Sequence, residues 1–423
     1  MPSSDRTYRS TALDRIFADT RIVTAVGPVR GLDVERTRRT LTAAEHVGRA
    51  PHVALEPRSD DRVWRYRSDI AGDNVFSSTD AIDDLGRTLT DIRNREGERA
   101  PLEVIVFDDH LAIDYSHGIG DGQIGVMMLA AFSDDADGTL VPGLAAGLAP
   151  SATWKALWRH YSRNPRALGN FRTLRTRHGA QSDAGAGALR RIENWEDAKV
   201  SRVGFMDRSH ADELKRWTAE NASQATAASV SIALWQAALR AENVDVDEHI
   251  MVLFNSRRYL DAAQQGSHGN FAVGIPLHIP RDTTPVEIAT EMREVIESGW
   301  PIAVLGMSHL RDVASRIRPS APSRDDRSVV EVSEKLRLAV SDLGRVRVFD
   351  HFDWADDGRP PRMAASLEPD GADGCTMLIA EIAGGRTYTA SFCSKMIEVD
   401  VIDAALRRLC EDPVALLRDH YRL

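Results

Sequence analysis

Residues 117–122 read His-Gly-Ile-Gly-Asp-Gly, and the runs on either side of this hexapeptide predict how the chain folds around it. The apolar stretches 102–107 and 111–115, separated by a polar turn, predict a β-hairpin that ends just before His117. The apolar run after Gly122 predicts a helix. The imidazole is therefore expected at a strand end, among glycines that leave room for a substrate to approach.

The spacing of His117 and Asp121 is compatible with acid–base chemistry. Histidine has an unperturbed pKa of roughly 6.5 and takes up a proton near neutral pH. A positioned histidine base typically contributes about 10² to 10⁴ in rate. Asp121 either contacts the imidazole or braces the loop through a cationic partner, and the sequence leaves both open. A structural interpretation also stays open, in which His117 is a turn histidine and Asp121 caps the following helix.

The hexapeptide resembles the H-x-x-x-D-G motif of the chloramphenicol-acetyltransferase-like superfamily. This superfamily includes nonribosomal-peptide condensation domains, polyketide-associated acyltransferases, wax ester synthases and plant-type BAHD acyltransferases. Three further stretches resemble family segments in the same order, over nearly the whole chain: FNSRRYL at 254–260, GNF at 269–271 and VSDLGRV at 340–346.

Two departures from the family pattern narrow the resemblance. Wax ester synthases usually show two adjacent histidines, whereas position 116 is a serine. The BAHD signature D-F-G-W-G is replaced by DHFDWADDG at 350–358. The condensation-like and polyketide-associated branches are therefore the most similar.

The resemblance implies an α/β protein of two chloramphenicol-acetyltransferase-like lobes, with mixed sheets flanked by helices, that meet at a central cleft or tunnel. We expect an N-terminal lobe at 1–150, an interlobe linker at 151–195 and a C-terminal lobe at 196–423. Strand-like runs that alternate with helix-like runs favour the same class. The linker is aromatic and basic at 154–177, then rich in small residues at 179–187. We expect its aromatic stripe to pack on the core; a carrier-protein surface or a lid is the alternative.

The resemblance also implies three catalytic residues and two that support the site: His117, Asp121 and Ser341, then Gly122 and Arg257. His117 is the expected general base. Ser341 occupies the place where relatives put a group near the reacting carbonyl, and a donor to the developing oxyanion is typically worth roughly 3 kcal/mol. The alternative for Ser341 is an ordinary strand-end turn.

Arg257 is the expected partner of Asp121, because a bidentate guanidinium–carboxylate pair would hold the loop that aims His117. Arg258 is the alternative partner. A third interpretation makes both arginines a solvated pair at a strand end. Substrate-binding residues are not assigned.

The implied activity is acyl transfer from a thioester donor to a hydroxyl or amine acceptor, by direct attack with His117 as base. The donor, acyl-coenzyme A or the phosphopantetheine thioester of an acyl-carrier protein, is a co-substrate, and neither a tightly bound cofactor nor a metal is expected. The expected setting is secondary-metabolite or lipid biosynthesis, with a small-molecule acceptor. Two alternatives are a condensation-like cyclase or thioester hydrolase, and a catalytically idle protein that docks carrier proteins.

Composition argues against several other classes. A net charge of −10 and a pI of about 5.7 are unsuited to nucleic-acid binding. The glycine spacing at 118–122 matches neither a Walker loop nor a dinucleotide fingerprint. Three cysteines without a ligand spacing indicate no disulfide framework, and Cys375 and Cys393 are expected in the core. We expect no membrane span and a cytoplasmic location, since long apolar runs and an apolar leader are absent from the sequence.

Overall fold

The computed structural model describes residues 7–48, 51–67, 70–134, 138–145, 147–149, 151–179, 189–315 and 329–421. The strands are β1 (Thr7–Arg9), β2 (Arg21–Gly27), β3 (Val63–Arg65), β4 (Val75–Ser77), β5 (Leu102–Val106), β6 (Leu111–Ser116), β7 (Leu189–Glu193), β8 (Lys199–Met206), β9 (His249–Asn255), β10 (Ala272–His278), β11 (Val329–Ser333), β12 (Arg337–Arg345), β13 (Arg362–Ser366), β14 (Gly374–Ile382) and β15 (Gly385–Cys393). The helices are α1 (Ala12–Ile16), α2 (Val34–His46), α3 (Ile70–Asn74), α4 (Leu85–Asn94), α5 (Gly122–Asp134), α6 (Ala152–Arg163), α7 (Pro165–His178), α8 (Arg208–Asn221), α9 (Ala227–Ala241), α10 (Pro285–Glu297), α11 (Trp300–Ser315), α12 (Val399–Glu411) and α13 (Pro413–Tyr421).

The first sheet has the strand order β13-β2-β6-β5-β4. Strands β5 and β6 form the antiparallel hairpin that the sequence predicts, with Leu102 opposite Tyr115. Strand β13 pairs antiparallel with β2, so that Met363 lies opposite Val26. A strand from the segment 196–423 therefore completes the sheet of the segment 1–150.

The second sheet has the order β10-β9-β12-β14-β15-β8, and β12 runs parallel to both of its neighbours. Successive side chains of a strand point to opposite faces. We call the segment 1–150 the first half of the chain and the segment 196–423 the second half. On β14, the side chains of Cys375, Met377 and Ile379 point to one face and pack in the core of the second half. The side chains of Leu378, Ala380 and Ile382 point to the other face and pack in the core of the first half. The central strand is apolar on both faces because each face is covered by a different core.

The segment predicted as a linker contains regular structure. Helices α6 and α7 fill most of it, and β7 pairs with β11. The expectation that its aromatic stripe packs on the core is wrong, because Trp158 is 77% exposed. The buried side of α6 is made of the small residues Ala152, Thr153 and Ala156. Of the small-residue stretch, 180–187 lies outside the described residues.

The run that begins at Pro51 forms a single 3-10 turn, His52–Ala54. Cys375 and Cys393 are buried, as predicted. Among the described residues, no helix combines the length and the apolarity that crossing a membrane requires.

Candidate active site

The hairpin β5–β6 delivers His117 to the edge of the first core. Strand β6 ends at Ser116, which lies opposite Arg21 on β2. The backbone N–H of His117 donates to the carbonyl oxygen of Thr20 at 2.8 Å. The Ser116 hydroxyl donates to the carbonyl oxygen of Ala18 at 2.6 Å and accepts from the N–H of Gly118 at 3.1 Å. These bonds fix the loop immediately around the histidine.

Glycine is needed at two positions of the motif loop, neither of which is Gly122. A Cβ on Gly118 would lie 2.8 Å from the Cβ of Pro57. Gly120 has a φ of +154°, and a Cβ there would lie 2.9 Å from Cγ2 of Ile124. A Cβ on Gly122 would meet only Cδ2 of Leu343 at 3.7 Å, an ordinary contact. The loop thus depends sterically on Gly118 and Gly120, whereas Gly122 begins α5 with room for a methyl group.

The His117 ring is stacked on Phe17, with centroids 4.4 Å apart and planes inclined by 16°. Among the described residues its Nδ1 is buried and forms no hydrogen bond, whereas the residue as a whole keeps partial exposure. Burial lowers the pKa of His117, and its own carbonyl, Asp121 and Asn270 oppose this shift without reversing it. The imidazole is therefore neutral near pH 7 and able to accept a proton.

Asp121 is held by Arg257 across the two halves of the chain. The guanidinium donates from Nη1 to Oδ2 at 2.7 Å and from Nη2 to Oδ1 at 3.0 Å. The backbone N–H groups of Phe271 and Ala272 also donate to Oδ2, at 2.9 and 3.1 Å. Burial raises the pKa of Asp121, but Arg257 and these N–H groups outweigh it, so the pKa lies below its usual value. Among the described residues no hydrogen bond joins Asp121 to the imidazole of His117, so the carboxylate braces the loop.

Arg257 itself is oriented by its own neighbours. Its Nε donates to the carbonyl oxygen of Ser267 at 2.8 Å, and Nη2 donates to that of Gly269 at 2.9 Å. The guanidinium carbon lies 4.6 Å from the ring centroid of Phe271. Arg257 is buried in a 3-10 turn, Ser256–Tyr259, in which the next residue, Arg258, is exposed. The structure therefore places Arg257, and not Arg258, on Asp121.

Asn270 connects His117 to the N-terminal segment, a role that sequence reasoning missed. Its Nδ2 donates to Oδ1 of Asp14 and to the carbonyl oxygen of His117, both at 3.1 Å. Oδ2 of Asp14 accepts from the hydroxyl of Tyr8 at 3.0 Å. The Thr11-x-x-Asp14 spacing is a capping-box signal that identifies Asp14 as a helix-start residue, but not its contact with Asn270.

Two histidines outside the motif also line this part of the molecule. Nδ1 of His52 lies 2.8 Å from the carbonyl oxygen of Ile119, in the middle of the motif. Nε2 of His268 lies 2.6 Å from the carbonyl oxygen of Gly143, and burial lowers the pKa of His268 to about 4. Both rings are neutral at pH 7 because burial also lowers the pKa of His52. Nothing in their sequence surroundings distinguishes them from core histidines.

Ser341 lies in β12, half-buried and opposite Leu378. Within the described residues its hydroxyl forms no hydrogen bond, either with His117 or with another side chain. The segment approaches the motif two residues later, where Leu343 lies over Gly122. The N–H of Gly344 donates to Oδ1 of Asp342 at 2.7 Å, but Ser341 lies in the interior of β12 and does not end the strand. Its partner Leu378 belongs to the core of the first half.

A polar cavity of about 450 Å³ lies between segments of the two halves of the chain. Its wall includes Asp19 and Arg21 from the first half and Lys199 and Glu368 from the second half. Arg21 is the residue opposite Ser116 in the strand pair. A more enclosed cavity of about 250 Å³ has His249 in its wall. None of the predicted site residues lines either cavity.

Comparisons with known proteins identify the architecture. No sequence-family model and no curated protein sequence matches the chain. Among solved structures, it is similar to the TRI3 trichothecene 15-O-acetyltransferase from Fusarium sporotrichioides, with a TM-score of 0.61, 10% identity, and coverage of 99% of this chain and 96% of that one. The condensation domain of the monacolin K polyketide synthase MokA gives a TM-score of 0.60 and 12% identity, with coverage of 100% and 98%.

The chain has the chloramphenicol-acetyltransferase-like fold. Both structures belong to this superfamily, and they match the present chain over nearly its full length. The chain also covers 45% of the longer nonribosomal peptide synthetase FmoA3, with a TM-score of 0.56 and 14% identity, while 99% of the present chain is matched. The expected α/β class with two chloramphenicol-acetyltransferase-like lobes is therefore confirmed. The boundaries at 150 and 196 stay predictions, since β13 crosses between the halves.

Proposed function

We propose that the protein is an acyltransferase that moves an acyl group from a thioester donor to a hydroxyl or amine acceptor, with His117 as general base. The observation that carries this proposal is the geometry of His117. Nδ1 of the ring is buried, the residue as a whole keeps partial exposure, and its loop is tied to the second half by the Asp121–Arg257 pair. An imidazole held in this way and neutral at pH 7 is what proton removal from an acceptor requires. The acetyltransferase and the condensation domain with the same fold support the reaction class.

The proposed reaction is a direct transfer. Nε2 of His117 removes the proton from the acceptor hydroxyl or amine as its oxygen or nitrogen attacks the thioester carbonyl carbon. The tetrahedral intermediate then expels the thiolate by breaking the carbon–sulfur bond, and protonated His117 returns the proton to sulfur. Ser341 is the proposed donor to the oxyanion. The donor is acyl-coenzyme A or an acyl-carrier protein, and no other cofactor enters the proposal.

Asn270 is the proposed positioning residue for the imidazole. Among the described residues, Oδ1 of Asn270 and Nδ1 of His117 are both buried and form no hydrogen bond, and the Asn270 side chain raises the pKa of His117. If Nδ1 carries its proton toward Oδ1, the tautomer with an unprotonated Nε2 is selected. Asp121 is a positioning residue as well, since its oxygens are occupied by Arg257 and backbone N–H groups.

The test is release of free thiol from a panel of acyl-coenzyme A and acyl-carrier thioesters, with and without pooled alcohols and amines. We expect release that needs an acceptor, is abolished in His117→Ala and persists in His46→Ala, an exposed histidine of α2 that serves as the matched control. The melting temperature of His46→Ala should equal that of the wild type. That of His117→Ala should fall by no more than about 1–3 °C, because this change removes the ring that is stacked on Phe17. Turnover that survives in His117→Ala refutes the proposed base. Acceptor-independent release indicates the hydrolase or cyclase alternative, and carrier binding without any release supports the docking alternative.

A further inference from the structure

Helices α6 and α7 form a cationic segment in an acidic protein. The segment 151–179 contains one lysine and six arginines but neither aspartate nor glutamate, whereas the whole chain has a net charge of −10. The cations are Lys155, Arg159, Arg163, Arg166, Arg172, Arg175 and Arg177. Each helix contributes a narrow side to the core, with Ala152 and Ala156 from α6 and Leu174 from α7, and the cations lie outside that side.

Two of these cations are neutralised by neighbouring elements. Arg177 donates to Glu291 at 3.0 Å and to Glu294 at 3.1 Å, and Arg159 is paired with Asp261. The other five cations have no ion pair among the described residues, and their side chains are exposed. Their charge therefore faces solvent.

Large apolar side chains lie among the unpaired cations. Trp158 is 77% exposed, Leu168 44% and Trp154 41%. Trp154 and Trp158 are four residues apart and share one face of α6, while Leu168 shares a face of α7 with Arg172 and Arg175. The exposed faces thus combine indole and aliphatic groups with guanidinium groups.

Both helices lie on the same supporting layer. Helix α6 packs on α11, whereas α7 packs on α10 and on the edge strand β10. Helices α10 and α11 also contact each other. The exposed faces of α6 and α7 therefore point away from one common layer and lie on one side of the protein.

A recess of about 520 Å³ opens at the elbow between the two helices. Arg166 and Arg258 line it together with the amides of Asn164 and Asn170, and Glu297 is the acidic residue in its wall. Guanidinium and amide N–H groups are the donors that bind phosphate oxygens in proteins. The recess has the donors and the size for a phosphate-bearing group.

We propose that the exposed face of α6 and α7 is a docking surface for an anionic phospholipid bilayer. Basic residues next to exposed tryptophan and leucine are the composition of helices that lie in the membrane interface. An anionic bilayer has a net negative surface potential that would repel acidic side chains, which accounts for a segment of 29 residues without a single acid. The recess with Arg166 and Arg258 accepts one lipid phosphate. Binding at this surface would attach the protein peripherally to the membrane and does not depend on the acyl transfer proposed above.

The test measures binding of the full-length protein to vesicles by flotation, which needs no turnover. Vesicles of phosphatidylcholine with about 30% phosphatidylserine should bind the protein, whereas pure phosphatidylcholine should not. About 0.5 M NaCl should release it, because salt screens the attraction. Each cation near an anionic surface contributes roughly fivefold in affinity, so Arg166→Gln/Arg172→Gln/Arg175→Gln should bind roughly 100-fold more weakly. Trp158→Ser should also weaken binding several-fold.

The matched control is Arg216→Gln/Arg407→Gln/Arg418→Gln, which removes three exposed arginines from α8, α12 and α13. This control should bind vesicles like the wild type, and both triple variants should melt at the wild-type temperature. Equal weakening in the two triple variants would show a general charge effect and overturn the assignment of the surface. Absence of binding to anionic vesicles at low salt, with binding only to an acidic carrier protein, would assign the face to a protein partner instead.

Discussion

Replacement of Arg257 by methionine tests whether the Asp121–Arg257 pair braces the motif loop. The side chains of both residues are 4% exposed, so Arg257→Met leaves a buried carboxylate without its cation. Removing one partner of a buried pair typically costs about 3–5 kcal/mol. The N–H groups of Phe271 and Ala272 still donate to Asp121, which favours the lower end, about 3 kcal/mol. For a chain of this length the melting temperature should fall by about 3–4 °C.

The assay compares thermal and urea unfolding of Arg257→Met with those of Arg258→Met. Arg258 is adjacent, equally charged and exposed, so its replacement should change stability by less than about 0.5 kcal/mol. In the Asp121→Asn background, Arg257→Met should cost much less than it does alone, because the carboxylate charge is gone. Turnover should fall together with stability in Arg257→Met. Equal stability of the Arg257 and Arg258 variants, with turnover intact, would refute the bracing role.

The pH dependence of this contribution has a defined sign. The pKa of Asp121 is lower in the folded protein than its usual value. Its stabilisation is therefore fully present above the unfolded pKa of about 3.9 and is lost as the pH falls through the folded value. The stability difference between wild type and Asp121→Asn should be constant from pH 7 to 5 and shrink only in acid.

Three further predictions concern the loop and the histidine. The acid limb of the kcat/KM profile should have its midpoint below pH 6.5, because burial lowers the pKa of His117 and keeps the ring neutral in weak acid. A midpoint above pH 6.5 in a pH–rate profile would contradict His117 as the general base. Gly118→Ala should destabilise the protein by about 1–3 kcal/mol, whereas Gly122→Ala should change stability little, and urea unfolding that shows the reverse order would exclude the steric argument. Asn270→Leu should lower kcat by roughly 10- to 100-fold with KM nearly unchanged. It should also shift the acid limb of the pH–rate profile to lower pH, because the Asn270 amide raises the pKa of His117. Asn270→Gln should recover part of the rate, and an unshifted pH profile in Asn270→Leu would indicate a purely structural role.

Local sequence patterns identified much of the scaffold around the motif. The hairpin of β5 and β6 and the helix α5 follow from apolar runs separated by turn residues, and these runs alone place His117 at a strand end. The pairing of Asp121 required the fold, since Arg257 lies 136 residues away. The bridge from Asn270 to Asp14 joins residues 256 positions apart, and neither carries a local signal for the other.

The aromatic segment shows where pattern reasoning fails. A stripe of tryptophans at helical spacing predicts a core-facing helix, because large apolar side chains are usually buried. Helix α6 instead packs through Ala152 and Ala156, which allow close approach to α11, and leaves Trp158 in solvent. The periodicity of the sequence shows that a helix has an apolar face, but the packing of neighbouring elements determines which face is buried.

The sequence by itself determined the motif loop, the strand that ends at it and the α/β class, because these depend on interactions between residues close in the chain. Only the tertiary structure decided which arginine holds Asp121. Arg257 and Arg258 are chemically identical neighbours, and the short turn at Ser256–Tyr259 buries the first and exposes the second. The direction in which a side chain leaves such a turn depends on packing between the two halves, and residues distant in the chain supply that packing.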